Sequence, residues 1–321
     1  MNRTIFISKL FLDALRDTHK VCKYFKLIKL NNYFIIIKIF IIKFFYSFEG
    51  IRNQIKVKKN DNYNQLTSLF FENNNFEFKN IVEDLNLNGH SNIYKLDKVF
   101  KKDLLQLALQ SENFDLNKIN HSKNIDQLKK EKNEDIESYI LRLRNIGISR
   151  LTTTINLNES NKLTEFITAP EILNLARKYL NTDKISINAT FFISNSLEIS
   201  EQEKYKNAQY FHWDNDFTKF FKMYIYLSDV DLDNGPHVFV PGTHKHKKFS
   251  NKLCRLYSDK DITNNYSKVK KFIGNFGSVF FVDGYGIHKG ELPKKKYRLM
   301  MNIHFGRGKI LYSKNDKYIE L

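Results

Sequence analysis

Two stretches in the C-terminal half of this chain alternate residue by residue between polar and apolar character. In KISINATFFIS, residues 184–194, Ser186, Asn188, Thr190 and Ser194 fall on one face, broken only by Phe192, while Ile185, Ile187, Ala189, Phe191 and Ile193 fall on the other. In YRLMMNIHFG, residues 297–306, Arg298, Met300, Asn302 and His304 lie opposite Tyr297, Leu299, Met301, Ile303 and Phe305. A period of two marks an extended strand, because successive side chains leave the backbone on opposite sides. Each strand thus carries an apolar face that must be covered and a second face too polar for a dry core. A mainly β fold backed by helices meets both demands: helices cover the apolar faces, and the polar faces line a wet pocket. An inward Arg298 adds a further requirement. A buried guanidinium without a partner is strongly unfavourable, so it needs a carboxylate, which its planar fork can hold through two charge-assisted hydrogen bonds.

His212-Trp213-Asp214 lies in another strand-like region. Residues two apart on a strand point to the same side, so His212 and Asp214 can reach one metal from one sheet edge. None of the other eight histidines is followed two residues later by Asp or Glu. The region from Ala208 to Lys245 reads strand, ligand pair, strand, Asn-Gly-Pro turn, short strand and Pro-Gly turn. From Gly277 to Gly306 it reads strand, glycine-rich loop carrying His288, and closing strand. Two imidazoles and one carboxylate on one face of an iron leave three adjacent positions open for oxygen chemistry. The bland alternative is that these three are polar residues stabilising turns. His237, His244 and His246 sit beside turns, and His304 reads as a satisfied pocket histidine.

These motifs together resemble the phytanoyl-CoA dioxygenase family of iron(II)- and 2-oxoglutarate-dependent oxygenases. The resemblance rests on His-x-Asp, on YLSDVD with its following NGP and VPGTHK, on His288-Lys289-Gly290, and on Arg298 ten residues past that histidine. It is tight over the last third of the chain and faint before it, and Thr243 stands where the family more often has Ser. It implies a double-stranded β-helix, the jelly-roll or cupin-like barrel, backed by α-helices, with its core at about 184–308. It also implies Fe(II) held by His212, Asp214 and His288, 2-oxoglutarate as co-substrate with its distal carboxylate on Arg298, and O2 as oxidant. Succinate and CO2 would be released as a small-molecule or carrier-linked substrate is hydroxylated. Thr190 is a further candidate for co-substrate contact from strand parity, against a hydroxyl satisfied within the core. Related halogenases replace the ligand carboxylate with a small residue, so Asp214 favours hydroxylation. No catalytic residue beyond the metal site is expected.

The 321 residues suit one catalytic domain over 65–321 preceded by an apolar, basic extension over 1–64. Lys, Asn, Ile, Phe and Tyr are all abundant, and their codons are rich in A and T. Codon bias therefore accounts for the net charge of +17, and no nucleic-acid partner is expected. The clusters Lys56 to Lys59, His244 to Lys248 and Lys294 to Lys296 read as solvated loops, with an anionic substrate as the alternative. Tyr33 to Phe48 is apolar apart from Lys38, Lys43 and Ser47. A central lysine opposes membrane insertion by about 3 kcal/mol, so the segment reads as a buried accessory layer, with peripheral membrane or partner contact as the alternative. Cys22 and Cys254 are too few and too far apart for a disulfide framework or a thiolate zinc site, which suits a reducing cytoplasm. Asp13 and Asp17 interrupt the N-terminus where a secretory leader would be apolar.

Helical patterning is expected on either side of a turn at Gly89 within 81–110, as one charged helix across 125–148, and across 168–181, where Pro170 and Glu171 suit a first turn. Two other readings compete with an oxygenase. A cupin-like isomerase or binding protein explains the triad but gives Arg298 no task. A basic membrane-surface adaptor leaves the triad to chance. Oligomeric state is not legible.

Overall fold

The computed structural model describes residues 70–72, 78–116, 124–159, 161–214, 219–247, 256–308 and 317–320. The expected extension over 1–64, with Tyr33 to Phe48 and the Lys56 to Lys59 cluster, lies outside the described residues. Among the described residues no helix is long and apolar enough to cross a membrane.

Two antiparallel sheets carry the fold. In the larger, β1 (Tyr94–Lys95), β9 (Ser278–Val282), β5 (Phe220–Tyr226), β11 (Tyr297–Arg307), β3 (Lys184–Asn195) and β12 (Lys317–Glu320) follow in that order. The outer edge of β3 pairs first with β12 and then with β2 (Arg150–Ile155). The smaller sheet runs β7 (Leu256–Tyr257), β4 (Phe211–His212), β10 (His288–Gly290), β6 (His237–Phe239) and β8 (Lys270–Phe272). Phe239 and Phe272 from the smaller sheet pack with Phe192, Tyr224, Phe280 and Met300 from the larger. The rings of Phe272 and Phe280 stack at 4.1 Å. The sheets therefore face one another as a jelly roll, and the helices lie outside.

The alternation in β3 and β11 folds as its period dictates. Ile185, Ile187, Ala189, Phe191 and Ile193, with Leu299, Met301, Ile303 and Phe305, are buried in one core shared with the helices. Each of the Ile, Leu, Met and Phe side chains contributes about 1.5–3 kcal/mol by leaving water. Eleven cross-strand pairs from Tyr297↔Asn195 to Arg307↔Ile185 fix the register. A slip of one residue would turn every apolar side chain into the pocket, so the pattern admits a single pairing.

Helix α1 (Phe78–Leu87), the turn at Gly89 and α2 (Lys98–Gln110) appear where expected, with β1 between the turn and α2. The single helix expected across 125–148 does not form. A 3-10 turn covers Ile125–Leu128 and a separate helix, α3, covers Ile136–Asn145. Asp135 caps α3 by accepting from the Ser138 amide, and Arg142 reaches back to the carbonyls of Gln127 and Lys129 and to Glu134. The intervening charged run has no apolar stripe to bury, so capping and the arginine bridge override its helix propensity. After α4 (Lys162–Ile167) comes α5 (Pro170–Leu180), with Pro170 at its first position and Asn181 closing it in the left-handed region at φ 53°. Its buried side is Ile172, Leu175, Ala176, Tyr179 and Leu180. Leu173 is only partly buried, because the 3.6-residue period turns it away from the stripe that Ile172, Leu175, Ala176 and Tyr179 share. The short helices α6 (Glu201–Lys206) and α7 (Asp259–Asn265) lie outside the barrel strands.

Candidate metal centre

The smaller sheet brings the candidate ligands together. Strand β4 ends at His212 and β10 begins at His288, and the register pairs these two residues directly. Their rings lie 4.4 Å apart between centroids. Just beyond β4, the Asp214 amide donates to the Gly284 carbonyl at 2.8 Å, which turns the carboxylate toward both imidazoles. Asp214 Oδ1 is 3.6 Å from His212 Nε2, and Oδ2 is 3.3 Å from His288 Nε2. The three ligand atoms lie within 4.8 Å of one another, and all three residues are buried.

The imidazoles are oriented from behind. His212 Nδ1 lies 2.8 Å from the Tyr210 carbonyl and His288 Nδ1 lies 2.9 Å from the Gly286 carbonyl. A carbonyl only accepts, so each Nδ1 carries the proton and each Nε2 turns its lone pair toward Asp214. Two neutral nitrogens and one carboxylate, preset at coordination spacing, form a donor set that fits a divalent first-row metal.

Lys222, on β5, was not anticipated from the sequence. Its Nζ lies 2.5 Å from Asp214 Oδ2, and both groups are buried. Burial alone would raise the Asp214 pKa, but the charge of Lys222 outweighs it and holds the carboxyl well below its usual range. The available signal was a lone lysine in the apolar run FFKMYIY, on the same parity as Tyr224 and Tyr226. Trp213 points away from its two neighbours, donating from Nε1 to the Tyr257 hydroxyl at 3.0 Å. Lys247 lies 5.1 Å over its ring and is buried, as is His244. The expectation that His244 to Lys248 forms a solvated loop therefore fails for these two residues, because the Pro-Gly turn folds back against the barrel. Lys294, Lys295 and Lys296 are exposed, as expected.

Arg298 faces inward from β11 and is only 3% exposed. It makes long contacts at 3.5 Å to the Glu291 carbonyl and to Ser194 Oγ, and its Nε has no partner. Among the described residues no carboxylate lies within ion-pairing distance of it, and burial lowers its pKa. Arg150, at the start of β2, is a second arginine on this face. Both Arg150 and Arg298 pair with Ser194, from opposite sides of β3. The Arg150 guanidinium lies 4.2 Å over the Phe192 ring and donates to the Asn207 carbonyl. Burial, then the charge of Arg298, draws its pKa down to about 10. The run Thr152-Thr153-Thr154-Ile155 after Arg150 is the local signal for this strand, since β-branched side chains favour extended backbone. Thr190 also faces this pocket and accepts from Asn302 Nδ2 at 3.4 Å, so its hydroxyl has a side-chain partner rather than a backbone one. His304 lies across from Lys222 with its ring 4.8 Å from Phe220. His237, read beside a turn, instead lies inside the pocket, its ring 5.4 Å from that of His288.

Residues 106–292 match the family model of phytanoyl-CoA dioxygenase (PhyH), which is more than half of the chain. The chain belongs to the phytanoyl-CoA dioxygenase family. No curated protein matches the sequence. Among solved structures, the family member is similar to the non-heme alpha ketoglutarate dependent epimerase SnoN from nogalamycin biosynthesis. Identity there is 14%, covering 71% of this chain and 80% of that one, with a TM-score of 0.46. It is also similar to HygX from Streptomyces hygroscopicus, solved with nickel, 2-oxoglutarate and hygromycin B bound, at 10% identity over 70% of this chain and 86% of that one, with a TM-score of 0.47.

Proposed function

We propose that this chain is an iron(II)- and 2-oxoglutarate-dependent dioxygenase that hydroxylates a small-molecule or carrier-linked metabolite. One juxtaposition carries the reading: a buried His-Asp-His cluster with both Nε2 lone pairs turned inward shares its pocket with Arg298, a buried cation with no carboxylate in ion-pairing reach among the described residues. His212 and His288 would hold the metal through Nε2, and Asp214 would complete one face. Arg298 would grip the far carboxylate of 2-oxoglutarate, and Thr190 is a second candidate contact. Iron and co-substrate, when bound, supply the activation of O2 with release of succinate and CO2.

The protein's own share is orientation and exclusion of water. The Tyr210 and Gly286 carbonyls keep the imidazoles aimed, and Lys222 holds Asp214 ionised at neutral pH. Phe192, Tyr224, Phe280 and Met300 form an apolar wall that limits water around the oxidant. A cupin-like binding protein would need the triad but would leave Arg298 without a counter-charge.

Thermal unfolding without oxygen tests this reading. Manganese(II) should raise the midpoint, and 2-oxoglutarate should raise it further only when the metal is present; ligand at a hundred times its Kd adds about 2.7 kcal/mol. Arg298→Ala should retain the metal effect and lose most of the co-substrate effect. No response of the parent protein to 2-oxoglutarate would refute the assignment. With a turned-over substrate, a product carrying one oxygen atom from O2 supports hydroxylation, and a product with none assigns another reaction to the same centre.

A further inference from the structure

His237 stands opposite Gly290 in the β6–β10 register, two residues beyond the candidate ligand His288. The Arg298 guanidinium covers that same glycine: a Cβ placed on Gly290 would lie 2.9 Å from Nη2. Imidazole and guanidinium thus flank one point between the candidate metal site and the arginine. The His237 ring is held among Tyr224 at 4.6 Å, Phe280 at 5.6 Å and Phe272 at 5.8 Å. Its backbone amide donates to the Tyr226 hydroxyl at 3.0 Å, which anchors the strand and leaves the ring uncommitted. Its Nε2 is buried with no hydrogen-bond partner, and so is Nε of Arg298. Buried polar atoms are nearly always satisfied, so two orphaned nitrogens on one pocket wall call for an acceptor between them. A carboxylate suits both groups: its two oxygens can accept from a guanidinium and an imidazole together, and the charge of the guanidinium strengthens the bond.

We infer that His237 is a second holder of the dicarboxylate co-substrate, its Nε2–H donating to the carboxylate that Arg298 grips. The inference rests on the function proposed above. It gives the co-substrate two differently oriented donors, which fix the rotation of the carboxylate as well as its position. The neighbouring Gly290 leaves room for both groups, since any side chain there would meet the guanidinium.

Calorimetry on the full chain with manganese(II) and 2-oxoglutarate, without oxygen, provides the test, with metal affinity measured separately. His237→Leu should weaken 2-oxoglutarate binding about tenfold, the factor expected for one hydrogen bond to a charged group, and should leave manganese affinity unchanged. His237→Gln, whose amide can donate from near the Nε2 position, should recover most of that loss. His237→Phe suits the surrounding aromatic rings and repeats the measurement if the leucine variant fails to fold. Co-substrate affinity within twofold of the parent in the leucine or phenylalanine variant overturns the inference. So does an equal loss of manganese affinity, which would show that the ring only supports His288. If the parent binds manganese but never 2-oxoglutarate, the proposed function itself falls, a result distinct from either of these.

Discussion

At the scale of single residues, burial dominates the chemistry of the pocket. Desolvation holds His237 well below the usual 6.5, assisted by the charge of Arg298. It does the same for His304, assisted by Lys222. A lowered folded value means that the unfolded chain binds protons the fold refuses. Stability should therefore be intact above 6.5 and fall as pH drops below it, by about 1.4 kcal/mol per pH unit for each such histidine. Asp214 contributes nothing in that window, because its depressed value keeps its stabilising charge until the pH falls below the ordinary carboxylate range. Urea midpoints of the metal-free protein between pH 7 and 5 should show this decline, and His237→Leu should make it shallower; a flat profile contradicts the account. The residues most legible in the sequence were those in a spacing pattern: His212 with Asp214, His288 beside its glycine-rich loop, and Arg298 ten positions on. Lys222, Arg150 and His237 were not legible, because each matters only through what lies beside it across a strand.

At the scale of elements, the loop between β9 and β10 shows how backbone shape sets ligand geometry. Gly286 supplies the carbonyl that orients His288, and a Cβ there would lie 2.1 Å from Phe239 Cζ, with a second ring atom at 2.4 Å. Phe239 is itself clamped between the two sheets, so it has little room to move. Gly286→Ala should therefore shift the loop, loosen the Nδ1 hydrogen bond and weaken manganese binding at least tenfold, the scale seen when an outer hydrogen bond to a metal ligand is lost. Parent-like affinity by titration would show that the loop has slack. The same loop is tied to α5 by the Tyr179 hydroxyl, which donates to Asp283 Oδ2 at 2.5 Å. Helix α5 was readable from Pro170 and its apolar period. The break in the expected 125–148 helix was not, because it depends on Arg142 finding carbonyls in a preceding turn.

At the scale of the whole molecule, stability and chemistry occupy opposite faces of the larger sheet. The outer face, with the helices, holds the main core, and the inner face trades apolar burial for a polar pocket that includes Lys222, Arg298, Asn302 and His304. Phe305 stacks on Phe221 at 4.9 Å in that outer core and touches none of the candidate ligands. Phe305→Ala should cost about 3–5 kcal/mol of unfolding free energy while leaving manganese affinity unchanged in the protein that remains folded, as chemical denaturation and titration would show. The sequence by itself determined the strand alternation, the inward parity of Arg298, the candidate ligand pair two residues apart and the second histidine beside a glycine-rich loop. These are local properties of backbone period and turn chemistry, and they survive without knowledge of the neighbours. Only the tertiary structure decided that His212 and His288 form a direct pair, that Lys222 reaches Asp214, and that His237 meets Arg298 across Gly290. Each of those depends on the register between strands far apart in the chain, which packing of the two sheets sets and no single segment encodes.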